Sequence, residues 1–354
     1  MLPSSAALLR WYDRHRRTLP WRALPGRTAD PYHVWLSEIM LQQTTVAAVI
    51  PYYRRFLDLF PTVEDLARAE PDTVMAAWAG LGYYARARNL HACSRAVAAA
   101  GGFPRDMAGL LALPGVGAYT AAAIAAIAFG QPVVPVDGNV ERVTSRLFAL
   151  ADPLPGSRKT IARHAATLNA SAAARARASD FAQALFDLGA GLCTPRQPAC
   201  ALCPWRDSCA GLRQGIAASL PAKAPRAARP VRHGVHFLLT DASGHVLLRR
   251  RPEKGLLGGM LELPGTDWRD TPWTGSEALA FAPADADWRA AGRVSHVFTH
   301  FTLHVDIYAA RVGHFPNTMA RTGGMAVAHA DLDMSALPSL MRKCVAAGWP
   351  ATEA

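Results

Sequence analysis

The chain has 354 residues, 51% of them apolar and 18% charged, enough for two domains with cores of their own and too apolar for a disordered polymer. A net charge of +11 favours a polyanionic partner. Lysine occurs only at 159, 223, 254 and 343, so an arginine-rich habit of the source genome is the competing explanation for that charge.

Arg10, Arg14, Arg16 and Arg17 break the first apolar run too early for a secretory signal, and a cytoplasmic protein is expected. A short amphipathic helix there is followed by Leu19-Pro20-Trp21-Arg22. Asp30-Pro31 then supplies an N-cap with proline at the first helical position. The helix it opens is predicted to run through 33–44 and is apolar on nearly every side. Glu38 falls on an apolar stripe, four residues after Val34 and three after Trp35. A carboxyl group there is costly unless paired or protonated, and desolvation lifts its pKa toward what a general acid needs near neutral pH. A glutamate buried against an arginine for structural reasons fits the same pattern. Gln42 and Gln43 either reach base edges through their amides or mark the end of the helix.

Short helices are predicted over 63–68, 71–78, 85–99 and 107–112. Between two of them, Gly80-Leu81-Gly82-Tyr83-Tyr84-Ala85-Arg86-Ala87-Arg88-Asn89 suits a loop that stacks on bases and touches phosphates, although paired tyrosines are also ordinary core. From 109 to 136 there is no charged side chain. Within this run, Leu113-Pro114-Gly115-Val116-Gly117 makes a sharp turn into an Ala-rich helix predicted over 118–129. That helix is much shorter than the roughly 20 residues that cross a bilayer, and prolines and glycines interrupt the rest, so no membrane span is expected. The turn is either an ordinary helix–helix connection or an anion site. In the second case, open N–H groups at the helix start face a phosphate that no Cβ holds off.

Asp137 caps a helix beginning near Gly138, where the dipole and N–H bonds should keep it ionised. An anion held near Glu38 would stabilise a cationic sugar, and two carboxyl groups in contrasted environments are recurring apparatus for glycosidic cleavage. Two more helices are predicted within 157–192, one over 180–190. Cys193, Cys200, Cys203 and Cys209 follow with the spacing C-x6-C-x2-C-x5-C, and Arg196 and Arg206 lie in the first and last loops. Six cysteines in the whole chain do not make a disulfide scaffold. Four thiolates suit either Zn²⁺ or a [4Fe–4S] cluster, and spacing alone does not choose.

Taken in order, 35–44 (Trp-Leu-Ser-Glu-Ile-Met-Leu-Gln-Gln-Thr), Gly80–Tyr84, Leu113–Gly117, 136–140 and the four cysteines strongly resemble the MutY adenine DNA glycosylase family of the endonuclease III-like superfamily. The likeness covers residues 10–210. It implies an all-α helix-hairpin-helix glycosylase core and a [4Fe–4S] cluster in preference to zinc. By the same likeness, an adenine mispaired with 8-oxoguanine, or with guanine, is flipped out of duplex DNA. Glu38 protonates the adenine N7 and Asp137 stabilises the oxocarbenium-like sugar. Arg22 and Gln183 lie near the adenine pocket, Gln43 and Tyr83 fill or wedge the stack around the lesion, and Gln42 and Thr44 belong to the DNA-contacting motif. Leu113, Gly115, Val116 and Gly117 form the phosphate-gripping hairpin. Superfamily members that also cut the strand carry a lysine where this chain has Tyr119, so a monofunctional enzyme is implied; a monomer is expected.

Residues 217–230 form a Pro-rich basic linker. Beyond it the apolar period becomes two: 235–240 and 246–250 read as a hairpin about 241–244, and 296–307 as one half-buried strand. Residues 231–350 resemble a Nudix-type α+β domain around Gly255–Gly265. Thr266 to Ala282 lacks the acidic helix such hydrolases need, so pyrophosphate hydrolysis is expected to be lost. In the MutY family this domain inspects 8-oxoguanine. Phe298, Thr299 and His300 match the loop concerned, with Thr299 where many members have serine. His296, His300 and His304 on one strand face would lie about 13 Å apart at four-residue spacing, which favours a solvated or DNA-facing surface over a metal site. The expected domains are 1–216, helical, and 231–354, Nudix-like. A thymine or uracil mismatch glycosylase and a silent lesion-binding protein are the rival readings.

Overall fold

The computed structural model describes residues 3–225, 228–252, 255–315, 323–332 and 337–349. Contacts divide the chain into two compact units, Met1–Pro71 with Arg86–Pro225, and Asp72–Ala85 with Arg226–Ala354. Arg226 and Ala227 of the expected linker lie outside the described residues, as does the expected end of the second domain at 354.

Before residue 226 the chain is helical: α1 (Ser5–His15), α2 (Pro31–Leu41), α3 (Val46–Leu59), α4 (Val63–Arg68), α5 (Pro71–Trp78), α6 (Ala85–Ala99), α7 (Met107–Ala112), α8 (Ala118–Ile127), α9 (Gly138–Leu147), α10 (Arg158–Thr167), α11 (Ala172–Ala176), α12 (Ala178–Asp187) and α13 (Ala210–Arg213). Side chains of Ser4, Asp30, Thr45, Thr62, Asp106, Asp137 and Ser171 accept hydrogen bonds from the first turns they precede, which fixes where those helices start. Helix α8 is buried from Thr120 to Ile127 and packs on α2, α7 and α12, its alanines allowing close approach. It ends at Ile127, two residues short of the expected limit. Gly130, left-handed at φ 65°, turns the chain so that its N–H and that of Gln131 close on the carbonyls of Ala126 and Ala125. Helix α12 runs on into a π-helical turn, Leu188–Leu192, that leads to Cys193.

The second unit contains a mixed six-stranded sheet of β1 (Val231–Thr240), β2 (His245–Arg250), β3 (Leu261–Glu262), β4 (Arg289–Val297), β5 (Thr302–Arg311) and β6 (Gly324–Ala328). The order is β3-β2-β1-β5-β4, with β6 paired to β2; β1 runs parallel to β5 and antiparallel to β2. The expected β1–β2 turn forms, with the Asp241 carboxylate taking the N–H groups of Ser243 and His245 at 2.9 and 2.8 Å. The single strand expected over 296–307 is instead two. The Phe298 N–H bonds the Phe301 carbonyl at 2.9 Å, closing a turn that pairs Val297 with Thr302. His296 therefore lies opposite Leu303, and His304 opposite Ser295. The three histidines share neither a strand nor a face.

A closing helix, Ser339–Gly348, buries Leu340, Met341 and Cys344 against Leu303, Val305 and Ile307. On the other face, Val235 and Phe237 pack with Ala278 of α14 (Gly275–Leu279) and with Trp288. Burial on both faces explains why Phe237, Leu238 and Leu239 are consecutive apolar residues, and it leaves His236 buried beside them.

Candidate active site

Helices α2, α8 and α12 and the start of α9 surround a cavity of about 530 Å³ in the first unit. Glu38, Tyr119, Asp137, Arg22, Gln42, Gln43, Thr44 and Gln183 all line it, with Trp21 and Phe186 among its apolar walls. Glu38 is 7% exposed because α2 is buried along nearly its whole length. The Tyr119 hydroxyl donates to its Oε2 at 2.5 Å. Burial pushes the Glu38 carboxyl up to about 7; the nearby Asp137 charge adds to this, and Tyr119 and Arg22 oppose it.

Asp137 caps α9 as expected. Its Oδ1 accepts the Val140 N–H at 2.7 Å and its Oδ2 the Asn139 side-chain amide at 2.8 Å. These bonds were expected to keep Asp137 ionised. In the structure its pKa is raised, because burial outweighs the N–H bonds and the Arg142 charge. The contrast with Glu38 persists as one of donors: Asp137 accepts two N–H bonds where Glu38 accepts one hydroxyl. Asn139 in turn takes Arg142 Nη2 on its Oδ1 at 2.9 Å, and Arg142 reaches the carbonyls of Gly189 and Cys193, both at 2.7 Å. Gly189 must be glycine, since a Cβ there would lie 2.6 Å from Asn139 Cβ.

Helix α2 stops at Leu41, three residues before the expected limit, and this brings Gln42, Gln43 and Thr44 to the cavity. Gln43 is left-handed at φ 59°. The carbonyls that the broken helix leaves over, those of Ile39 and Met40, are taken by Arg86 at 2.9 and 3.0 Å, and Arg86 also reaches the Thr44 hydroxyl. The arginine expected to touch phosphate thus caps a helix end.

The hairpin 113–117 buries Leu113 and Val116, so its backbone and the exposed Pro114 are what a ligand can meet. Gly115 is left-handed at φ 72° with Asn89 Cβ 2.6 Å from where its own Cβ would be. Gly117 caps α8 without a side-chain hydrogen bond, unlike Asp30 at α2 and Asp137 at α9, which leaves that helix start suited to an anion.

Cys193, Cys200, Cys203 and Cys209 line one further small cavity with Arg146 and Arg206; Arg196 is not among its lining residues. Among the described residues, no three His, Cys, Asp or Glu side chains converge as a single ion requires. The four thiols line one space, and four thiolates with one per metal fit the iron–sulfur cluster expected there. Arg146, 1% exposed, holds the loop by donating to the carbonyls of Thr194, Pro195 and Leu220, and its Nη1 lies 3.3 Å from Cys193 Sγ. A buried cation there fits the negative charge of a thiolate-ligated cluster.

Comparison with known proteins agrees with this geometry. Residues 36–166 match the HhH-GPD superfamily of base excision DNA repair proteins, 193–209 the iron-sulfur binding domain of endonuclease III, and 235–347 the NUDIX domain. The human adenine DNA glycosylase is 34% identical over 95% of this chain and 72% of its own length. The chain belongs to the adenine DNA glycosylase family. A Mycolicibacterium smegmatis adenine DNA glycosylase is 39% identical over 68% of this chain and 81% of its own. The solved structure of a thermostable thymine-DNA glycosylase is 29% identical, with a TM-score of 0.51, over 59% of this chain and 95% of that one.

As an adenine DNA glycosylase, the chain is a base-excision-repair enzyme that acts on DNA and carries an iron–sulfur cluster, and no helix among its described residues is long and apolar enough to cross a membrane. Not every candidate residue lies in the cavity. Tyr83, Phe298, Thr299 and His300 belong to the other unit. Tyr83 is left-handed at φ 51° and 52% exposed. Phe298 stacks on Trp268 with ring centroids 5.8 Å apart and packs against Phe301 at 4.9 Å, which fixes the base of the 298–301 turn. Arg17, Asn139, Arg142 and Asp187 take part in this site without having been candidates by residue pattern. The position of Asn139 and Arg142 within the first turns of α9, beside Asp137, was the available signal.

Proposed function

We propose that the chain is a monofunctional glycosylase that hydrolyses the N-glycosidic bond of adenine opposite 8-oxoguanine or guanine in duplex DNA. The carrying observation is that one cavity, large enough for a purine nucleoside, holds Glu38 under Tyr119 and Asp137 at a helix start. Glu38 gives its proton to N7 of the extruded adenine. The C1′–N9 bond then breaks with its electron pair on the base, and Asp137 stabilises the oxocarbenium-like sugar until water adds. Tyr119 orients the Glu38 carboxyl, while Arg22 and Gln183 present polar groups to the base edge. Gln42, Gln43 and Thr44 fill the opening beside it, and the Gly115–Gly117 backbone holds a phosphate.

Among the described residues no lysine lines the cavity, so none of them places an amine to form a Schiff base with the sugar. Cys193, Cys200, Cys203 and Cys209 would hold the [4Fe–4S] cluster, which ties their loop together when bound. Phe298, Thr299 and His300 would read the base opposite. In the second unit, Glu277 of α14 is occupied by Thr274 and Arg269, and Glu262 by Arg249 and Arg251, which supports a lost pyrophosphatase activity.

The thymine-DNA glycosylase likeness covers 59% of this chain, whereas the adenine glycosylase likeness covers 95%. Duplexes with adenine opposite 8-oxoguanine or guanine, and with thymine opposite guanine, followed by alkali, separate the readings. Thymine release without adenine release would overturn this one.

A further inference from the structure

We infer that Asp187 is a positioning residue that aims Arg22 into the cavity, and through it sets how the enzyme engages the adenine. This inference rests on the function proposed above. Asp187, the last residue of α12, is 2% exposed, and both its oxygens are doubly bonded. Arg22 grips it with a fork, Nη2 on Oδ1 at 2.8 Å and Nη1 on Oδ2 at 2.7 Å. Arg17 adds its Nε on Oδ1 at 2.5 Å and its backbone N–H on Oδ2 at 3.1 Å. The Arg22 side chain is itself only 7% exposed. Its Nη1 also reaches the Arg17 carbonyl at 3.2 Å.

A two-point fork fixes the plane of a guanidinium where a single contact would leave it free to rotate. Without the carboxylate, a nearly buried cation would lack its counter-ion and would turn toward water or toward other acceptors in the cavity. Burial raises the Asp187 pKa, but the two guanidiniums more than reverse that, so the group is anionic at neutral pH.

The same contact shields the acid. Glu38 is faced by Tyr119 from α8, by Asp137 at the start of α9, and by Arg22 from the loop after α1. The Arg22 charge favours loss of the Glu38 proton, and Asp187 offsets that charge. Removing the Asp187 charge should therefore lower the pH at which Glu38 gives up its proton.

The test uses the full-length, cluster-bearing protein and compares wild type, Asp187→Asn, Asp187→Glu, Arg22→Met and the Asp187→Asn/Arg22→Met double variant. Single-turnover adenine release is followed across pH, together with affinity for a duplex carrying an uncleavable 2′-fluoro adenine nucleoside opposite 8-oxoguanine. Asp187→Asn should lose on the order of tenfold to a hundredfold in release and move the alkaline limb to lower pH. It should cost nothing further once Arg22 is methionine. Asp187→Glu keeps the charge, so its alkaline limb should stay in place while its rate falls less. If Asp187→Asn yields no folded protein, by melting and iron content, Asp187→Glu carries the test, and a rate equal to wild type overturns the inference. So does Asp187→Asn with an unchanged rate and pH profile, or a full extra loss on top of Arg22→Met. A wild type that releases no adenine would instead sink the function proposed above.

Discussion

The phenolic oxygen of Tyr119 and Oε2 of Glu38, 81 residues apart in sequence, lie 2.5 Å from each other at the floor of the cavity. That hydrogen bond stabilises the ionised carboxylate, yet burial still holds the Glu38 pKa near 7.

The rate of adenine release should therefore fall as pH rises through about 7, because only protonated Glu38 can donate. Glu38→Gln should lose about 10²- to 10⁴-fold in single-turnover release while still binding the duplex. Release that survives this change refutes the proton-donor role. Stability follows the same titration. A carboxyl whose folded pKa is raised contributes most below its unfolded value, and that contribution is lost as pH rises through its folded one. Glu38→Gln should thus gain roughly 3 kcal/mol on wild type between pH 5 and pH 8, read by denaturant unfolding.

Tyr119→Phe removes a contact that lowers the Glu38 pKa, so the alkaline limb should move to higher pH, with a rate loss of several-fold. Tyr119→Lys supplies the missing amine beside the sugar. Borohydride trapping of that variant on DNA, absent for wild type, would confirm that the side chain at 119 separates the two activities.

Asp137 serves as helix cap and as candidate sugar stabiliser, and Asp137→Ser separates the roles. Serine caps as well as aspartate, so unfolding should change by less than about 1 kcal/mol. Excision should drop by about 10²- to 10³-fold, as when a preorganised electrostatic group is lost. Full activity in the serine variant would leave Asp137 a cap and nothing more.

Arg146→Met strips donors from three buried carbonyls and a charge from beside Cys193. Iron and inorganic sulfide per chain should fall, and the melting temperature with them. Arg206→Met, at a half-exposed position of the same cavity, should retain more iron. Equal iron in both variants would argue against a special part for the buried arginine.

Much of the local structure was legible in the residues. Asp30-Pro31 and Asp137 announced the starts of α2 and α9 because capping is a matter of one side chain and the next few N–H groups. The end of α2 was not legible, since Arg86 reaches back from α6 to take the carbonyls of Ile39 and Met40. The alternation from 296 onward was read as one strand because period two does not record the turn that the Phe298–Phe301 bond closes. Asp187 went unremarked for a similar reason. Its partners Arg17 and Arg22 stand at the far end of the helical region, and no sequence spacing links them.

Residue order alone marked the candidate chemistry: an acid on an apolar stripe, a capping aspartate, a tyrosine in place of a lysine, and four closely spaced thiols. Such features are set by residue type and by neighbours within one or two turns. Tertiary structure alone decided the protonation balance. Only the packing of α2, α8, α9 and α12 around one cavity places Tyr119 on Glu38, Asp137 within electrostatic reach of it, and Asp187 behind Arg22. The pKa of a buried carboxyl is the sum of its desolvation and of charges that arrive from distant parts of the chain.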